Sequence, residues 1–232
     1  MLVVRKAETR GLTRLDWLDS RHTFSFGDYH DPAQMGFREL RVINEDRVQP
    51  GKGFPTHSHR DMEIVSYVLE GMLEHRDSLG NGSIIRPGEV QRMSAGRGIT
   101  HSEFNPSRSE LVHFLQIWIM PEQSDVVPGY EQKTIDLSGA RGRFLPIASK
   151  QGGPGAVKLH QDATISVAML RRGETLQWLP TGERYVWLQV TRGSISLNDY
   201  TLSDGDGAGA DSNSAMHIRA HAPSEILAVD MA

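Results

Sequence analysis

The 232-residue chain contains no cysteine, which excludes a disulfide framework, thiol catalysis and any sulfur-ligated metal. Long apolar runs are also missing. The longest, "FLQIWIM" at 114–120, falls far short of the roughly 20 residues that a membrane-spanning helix needs. The N-terminal "MLVVRKAETR" resumes charge after too few apolar residues for the core of a secretory signal. No basic run exists: 25 Lys and Arg are interspersed with 29 Asp and Glu for a net charge of -4. That balance argues against nucleic acid or an anionic membrane as the partner. There is no G-x-S-x-G, no Walker-type loop and no dinucleotide-binding glycine fingerprint, so hydrolase, kinase and dehydrogenase chemistries have no support. A cysteine-free soluble chain suits the cytoplasm, the expected location.

What is abundant is glycine, 23 residues of it, punctuating short β-rich runs. "MEIVSYVLEGMLEH" reads as a hairpin around Glu70-Gly71, "LVHFLQIWIM" as a strand, and "RYVWLQVTRGSISLN" as a second hairpin around Arg192-Gly193. "MHIRA" and "EILAVDM" add further strands, and no helical period persists beyond two turns. The expected class is all-β, sandwich or barrel. Superimposing the two hairpins on Gly71 and Gly193 reveals a weak internal repeat. The Gly-, Pro- and Ser-rich segment 137–157 reads as a connection, giving domains 1–137 and 138–232.

The chemistry concentrates in "GKGFPTHSHRDMEIVSYVLEG", residues 51–71. Side chains two apart on a strand share a face, so His57 and His59 project into the same space. The same holds for His101 and Glu103 in "SAGRGITHSEFNPS", some forty residues on. Two such strands side by side bring three imidazoles and a carboxylate to one point, a nitrogen and oxygen set suited to Fe(II), Mn, Ni, Cu or Zn. Four protein ligands on an octahedral ion leave two positions for substrate and dioxygen. Glycines precede both pairs: Gly51 and Gly53, then Gly96 and Gly98. Glu63 is a rival carboxylate, closer in sequence to the first pair.

The pattern G51-x5-H57-x-H59-x3-E63-x7-G71 resembles the first motif of the cupin superfamily, and G98-x2-H101-x3-N105 the end of the second. More specifically, "WLDSRHTFSFGDYHDP", "FPTHSHRDMEIVSYVLEG", "HRDSLGN" and "MSAGRGITHSE" resemble the pirin family. The resemblance implies a bicupin: two β-barrel domains, with one divalent metal in the N-terminal barrel held by His57, His59, His101 and Glu103. Fe(II) is the ion it implies, with Zn, Ni, Mn, Co or Cu as alternatives. It further implies a quercetin 2,3-dioxygenase, in which a flavonol or other enol binds with dioxygen and carbon monoxide is released. Glu103 would take the enol proton. The alternative is a metal- or redox-dependent regulatory protein, a transcription cofactor or modulator of a metabolic enzyme, with a protein partner. A monomer is expected.

Most cupins place the motif-one glutamate where this chain has Ile64. Glu63 is one residue early, and is expected to hydrogen-bond a histidine ligand from behind. Carrying the repeat onto the second half sets Leu179, Thr181, Ile218 and Ala220 at the ligand positions, with His217 on the other face, so the C-terminal barrel is expected to hold no metal. His113, on a face with Leu111, Leu115, Ile117 and Ile119, is a candidate pocket-lining residue, although a lone histidine there is more often a hydrogen-bonded core residue. His75, Arg76 and Asp77 read as a solvated turn with Asp77 capping the chain before Gly80. His160, His217 and His221 read as structural or exposed. His22 and His30 flank "TFSFGDY", to which the sequence assigns no chemistry.

Overall fold

The computed structural model describes residues 2–179, 182–211 and 214–232. Among them the chain is built from antiparallel strands and two short 3₁₀ turns, with no α-helix. It divides into two compact units, each with a large sheet facing a four-stranded one.

The first unit comprises Gly11–Ile135 and Lys150–Gln161. Its large sheet runs, in spatial order, Gly129–Thr134, Glu89–Ser94, Glu63–Glu70, Val112–Ile119, Leu40–Val48, Leu18–His22 and Gly11–Leu15. Its small sheet runs Gly53–His59, Ile99–Phe104, Leu73–Asp77 and Gly82–Ile85. Leu18, Val48, Val68, Leu73, Ile85, Val112 and Phe114 form a core cluster drawn from both sheets, the arrangement by which alternating apolar positions close a barrel.

The second unit comprises Met1–Arg10, Asp136–Ser149 and Asp162–Ala232. Its large sheet includes, in order, Leu2–Arg5, Gly207–Ala210, Tyr185–Arg192, Ser224–Met231, Ala163–Leu170 and Leu145–Ser149. Its small sheet runs Thr175–Trp178, Met216–Ala220, Ser194–Leu197 and Tyr200–Ser203. The two units thus repeat one strand order, as the weak sequence repeat predicts.

Three expectations need correction. The segments around Gly71 and Gly193 are not hairpins, because the strands they join lie in different sheets. Each glycine has positive φ, +74° and +89°, and a Cβ would sit 2.4 Å from the Leu111 carbonyl or 2.3 Å from that of Pro223. Only glycine makes this tight passage from sheet to sheet. A cut at 137/138 does not follow the compact units either. Leu2–Arg5 pairs with Gly207–Ala210, a "GAGA" strand with little side chain to bury and so dependent on ladder partners. Lys150–Gln161 returns to the first unit, where Lys133 Nζ donates to the carbonyls of Gly153 and Ala156. Segment 137–157 is accordingly no loose connection: it holds the strand Leu145–Ser149, with Ile147 and Ala148 fully buried.

Candidate metal centre

The site is written into one face of the small sheet of the first unit. His101 stands opposite His57 on one side and opposite Asp77 on the other; Glu103 stands opposite His75. Residues directly opposite in an antiparallel pair share a face, as do residues two apart. His57, His59, His101, Glu103, His75 and Asp77 therefore all project the same way. A bulge interrupts the ladder between His101 and Glu103, where Pro55 and Thr56 together face Ser102. Proline has no N–H to give a ladder and suits a bulge. The carbonyl of Pro55 instead accepts a 2.8 Å hydrogen bond from His57 Nδ1.

That bond leaves Nε2 of His57 free of its proton and available as a donor to a cation. Nε2 of His59 and Nε2 of His101 are buried with no hydrogen-bond partner. The three rings stand 4.4 to 4.9 Å apart, centroid to centroid, with one ligand nitrogen from each within 4.8 Å of the others. Two buried, unpartnered imidazole nitrogens in one place are costly unless something binds them, and with His57 beside them a divalent cation fits the donor set. Burial pushes the His59 imidazole down to about 4, with the neighbouring His57 adding to the effect. His101 is pushed further down, by burial first and then by His57, His59 and His75. Both rings are held neutral, the form that ligates a metal.

Glu103 is 2% exposed. Its Oε2 accepts from Gln116 Nε2 at 2.7 Å and its Oε1 from Ser66 Oγ at 3.4 Å. Burial raises its carboxyl above the usual range, opposed by His75 and by these hydrogen bonds. It joins a second cluster, with His75 and His101, rather than the three-histidine one. Beside Glu103 lies a cavity of about 260 Å³ lined by Ser20, His22, Phe26, Asp46, Phe54 and Gln116 among others. Here the "TFSFGDY" block finds a place. Phe26 meets Trp118 edge-on at 5.3 Å, and Trp118 meets His59 likewise at 4.9 Å, so an aromatic wall joins that loop to the histidines. His22 is buried, its Nδ1 donating to Asn44 Oδ1 at 2.8 Å and its Nε2 accepting from Thr13 Oγ1 at 2.9 Å. Asp46 Oδ1 is buried without a partner. Burial pushes the Asp46 carboxyl up to about 7, opposed by a Ser20 hydrogen bond and reinforced by Glu103 and Glu45.

Several sequence expectations change. Glu63 does not back a metal ligand: fully buried, it accepts from Ser94 Oγ at 3.0 Å, from the His160 backbone N–H at 3.1 Å and from His160 Nδ1 at 3.3 Å. It ties the returning segment 150–161 to the first unit, and His160 has the acidic partner that its sequence neighbourhood hides. His113 does not line the cavity beside Glu103; its Nε2 meets Glu45 Oε1 at 2.9 Å, the hydrogen-bonded core role. The largest correction concerns "HRD". Arg76 is exposed, but His75 and the Asp77 side chain are fully buried. Asp77 does cap the turn as predicted, accepting from the N–H groups of Leu79 and Asn81 at 2.9 and 3.1 Å. Its other oxygen faces His75 Nε2 at 3.2 Å. His75-x-Asp77 is a third same-face pair, recognisable by the rule that picked out His57-x-His59 and His101-x-Glu103.

In the second unit the register identifies the counterparts directly. Gly173 and Glu174 bond to the Ala220 backbone as Gly51 and Lys52 bond to that of Asn105. Ile218, facing Leu176 and Leu197, therefore takes the place of Glu103, which faces Phe54 and His75, and Met216, facing Trp178, takes that of His101. Trp178, not Leu179, is the counterpart of His57, and Leu176 that of Phe54. Leu179 is 61% exposed, and Thr181 lies outside the described residues. Ile195, Leu197, Ile218 and Ala220 belong to one apolar cluster with Leu176 and Trp178 packed against it. His217 turns outward to the surface.

Comparison with known proteins agrees with this architecture. The Pirin family model matches residues 3–119, and that of the quercetinase C-terminal cupin domain matches 146–231. The chain is 46% identical over 231 residues to the quercetin 2,3-dioxygenase of Escherichia coli (strain K12), covering 100% of this chain and 99% of that one. The crystal structure of YhhW from Escherichia coli superimposes with a TM-score of 0.95 at 45% identity, covering 100% of this chain and 98% of the other. A second structure, bacterial pirin YhhW in complex with nickel(II), superimposes at 0.94 with 44% identity, covering 100% and 99%. The chain belongs to the pirin family and has its bicupin fold, two β-barrel domains in one polypeptide.

Proposed function

We propose that this protein is a metal-dependent dioxygenase that opens the ring of a flavonol such as quercetin with dioxygen and releases carbon monoxide. The observation that carries the reading is the set of three converging imidazoles, two with buried and unpartnered Nε2 atoms. The names of the full-length relatives support the reaction class. His57, His59 and His101 would hold one divalent ion through Nε2, with Glu103 beside it. Fe(II) is the resident ion proposed; the nickel(II) bound by the E. coli relative shares the same nitrogen and oxygen preference. When bound, the ion supplies Lewis-acid stabilisation of an enolate oxygen and electron exchange with dioxygen.

The chain's own residues do the rest. Glu103 takes the proton of the substrate's enol hydroxyl at Oε1, the oxygen held only by the long Ser66 contact. Its raised affinity for a proton suits a base that must accept one near neutral pH. Gln116 fixes the carboxylate through Oε2. Phe26, Phe54 and Trp118 offer flat apolar walls to an aromatic substrate and keep water from the reacting carbon.

The test is anaerobic reconstitution of the metal-free protein with Fe(II), and in parallel with Ni(II), followed by quercetin and dioxygen. Carbon monoxide release that disappears in a His57→Ala variant supports the reading. No carbon monoxide with any ion, from protein that binds the ion stoichiometrically, would instead favour a metal-dependent regulatory role with a protein partner.

A further inference from the structure

We infer that Asp77 and His75 form a buried relay that sets the tautomer of His101 and thereby aims its Nε2 lone pair into the metal site. This rests on the reading of His101 as a ligand. The Asp77 carboxylate can only accept, so the 3.2 Å contact to His75 Nε2 places the proton on that nitrogen. Nδ1 of the same neutral ring is then an acceptor. It stands 3.4 Å from His101 Nδ1, which must therefore be the donor. A neutral imidazole with its proton on Nδ1 has its lone pair on Nε2, the atom left buried and unpartnered beside His57 and His59.

The relay is held from all sides. Asp77 Oδ1 accepts from the Leu79 and Asn81 N–H groups and from Asn81 Nδ2, and Oδ2 accepts from Asn81 Nδ2 at 2.9 Å. These bonds keep the Asp77 carboxyl below its ordinary range despite its burial. Tyr130 lies over the His75 ring at 5.0 Å with planes 31° apart. His75 is a positioning residue: it touches a ligand and acts through it, as outer partners of metal-bound histidines do elsewhere. In the second unit Leu197 stands at the position of His75 and Met216 at that of His101, so relay and ligand are absent together.

The decisive variant is Asp77→Asn. Its remaining oxygen preserves the turn's bonds at Oδ1, while an amide NH₂ replaces the acceptor facing His75. His75 then accepts at Nε2 and carries its proton on Nδ1, and His101 is forced to accept at Nδ1 and carry its proton on Nε2. Two-bond ¹H–¹⁵N spectra of the full-length, metal-free protein should show His101 exchanging its protonated nitrogen. Affinity for Zn(II), measured by chelator competition, should fall by about 10- to 100-fold with little change in Tm of the metal-free protein. A second variant, His75→Phe, removes the acceptor and should weaken Zn(II) binding without imposing the reversed tautomer. An unchanged His101 tautomer in Asp77→Asn overturns the inference, as does coordination of Zn(II) by His75 Nδ1 in the wild type. The tautomer is read without metal, so this result is independent of whether the protein oxidises quercetin.

Discussion

Gln116 donates a 2.7 Å hydrogen bond to the Glu103 carboxylate, and the two residues stand on different sheets of one barrel. The bond favours the ionised carboxylate against the burial that opposes it. Gln116→Leu removes that support, so the Glu103 carboxyl should hold its proton to higher pH. The acidic limb of the kcat/KM profile should move upward, and at pH 6 kcat/KM should drop by about tenfold or more, the worth of one hydrogen bond to a charged group. A profile that falls uniformly without moving would detach Gln116 from the base.

Glu103 itself has two separable roles, ligand and base. Glu103→Gln keeps size and polarity but cannot accept the enol proton. Turnover should fall by about 10²- to 10⁴-fold, the usual range for a lost general base. Bound metal, counted by elemental analysis, should fall far less, since the three histidines form a cluster without Glu103. Equal losses of both would make Glu103 a structural ligand.

Much of this site was legible because strand geometry is local. An i, i+2 spacing fixes a shared face, which pairs His57 with His59 and His101 with Glu103, and the resemblance to pirins singles these out from ten histidines and 29 acidic residues. What stayed hidden depends on which strands become neighbours. Glu63 meets His160 across 97 positions, and His113 meets Glu45 across 68. No periodicity encodes either pairing. His75-x-Asp77 was hidden differently: its i, i+2 signal is as clear as the others, but the adjacent "SLGN" turn makes the segment look solvated. The bulge at Pro55 likewise follows from a local cue, while its use, a carbonyl turned to His57 Nδ1, follows from the fold.

Asp46 gives the metal-free protein a stability signature in pH. Its carboxyl is pushed up to about 7 by burial, well above the 3.8 of an ordinary aspartate. Between those values the folded state holds a proton that the unfolded state has released, so stability falls as pH rises through the window and levels off above it. Asp46→Asn removes this dependence without emptying the site. The stability of the variant relative to wild type should therefore increase from pH 5 to pH 8. The gain should be on the order of a few kcal/mol, at about 1.4 kcal/mol per unit, read from urea unfolding at each pH. A constant difference across that range would mean that Asp46 is ionised throughout.

The repeated fold offers an internal control for what the metal site costs. Ile218 occupies in the second barrel the register position of Glu103 in the first, on the strand that matches the one carrying His101, and is 1% exposed in an apolar cluster. Truncating it leaves a cavity that the surrounding strands cannot close, and Ile218→Ala should lower the unfolding free energy by about 2–5 kcal/mol. Metal content should stay at one ion per chain, because no ligand is touched. His101→Ala should do the reverse. It removes an imidazole that burial holds neutral and whose Nε2 has no protein partner, so the metal-free protein should lose less stability than with Ile218→Ala, while metal binding collapses. The comparison needs only chemical denaturation and elemental analysis of both variants. If His101→Ala destabilises the metal-free barrel as much as Ile218→Ala does the other, the histidine contributes packing as well as a ligand, and the two barrels are stabilised alike.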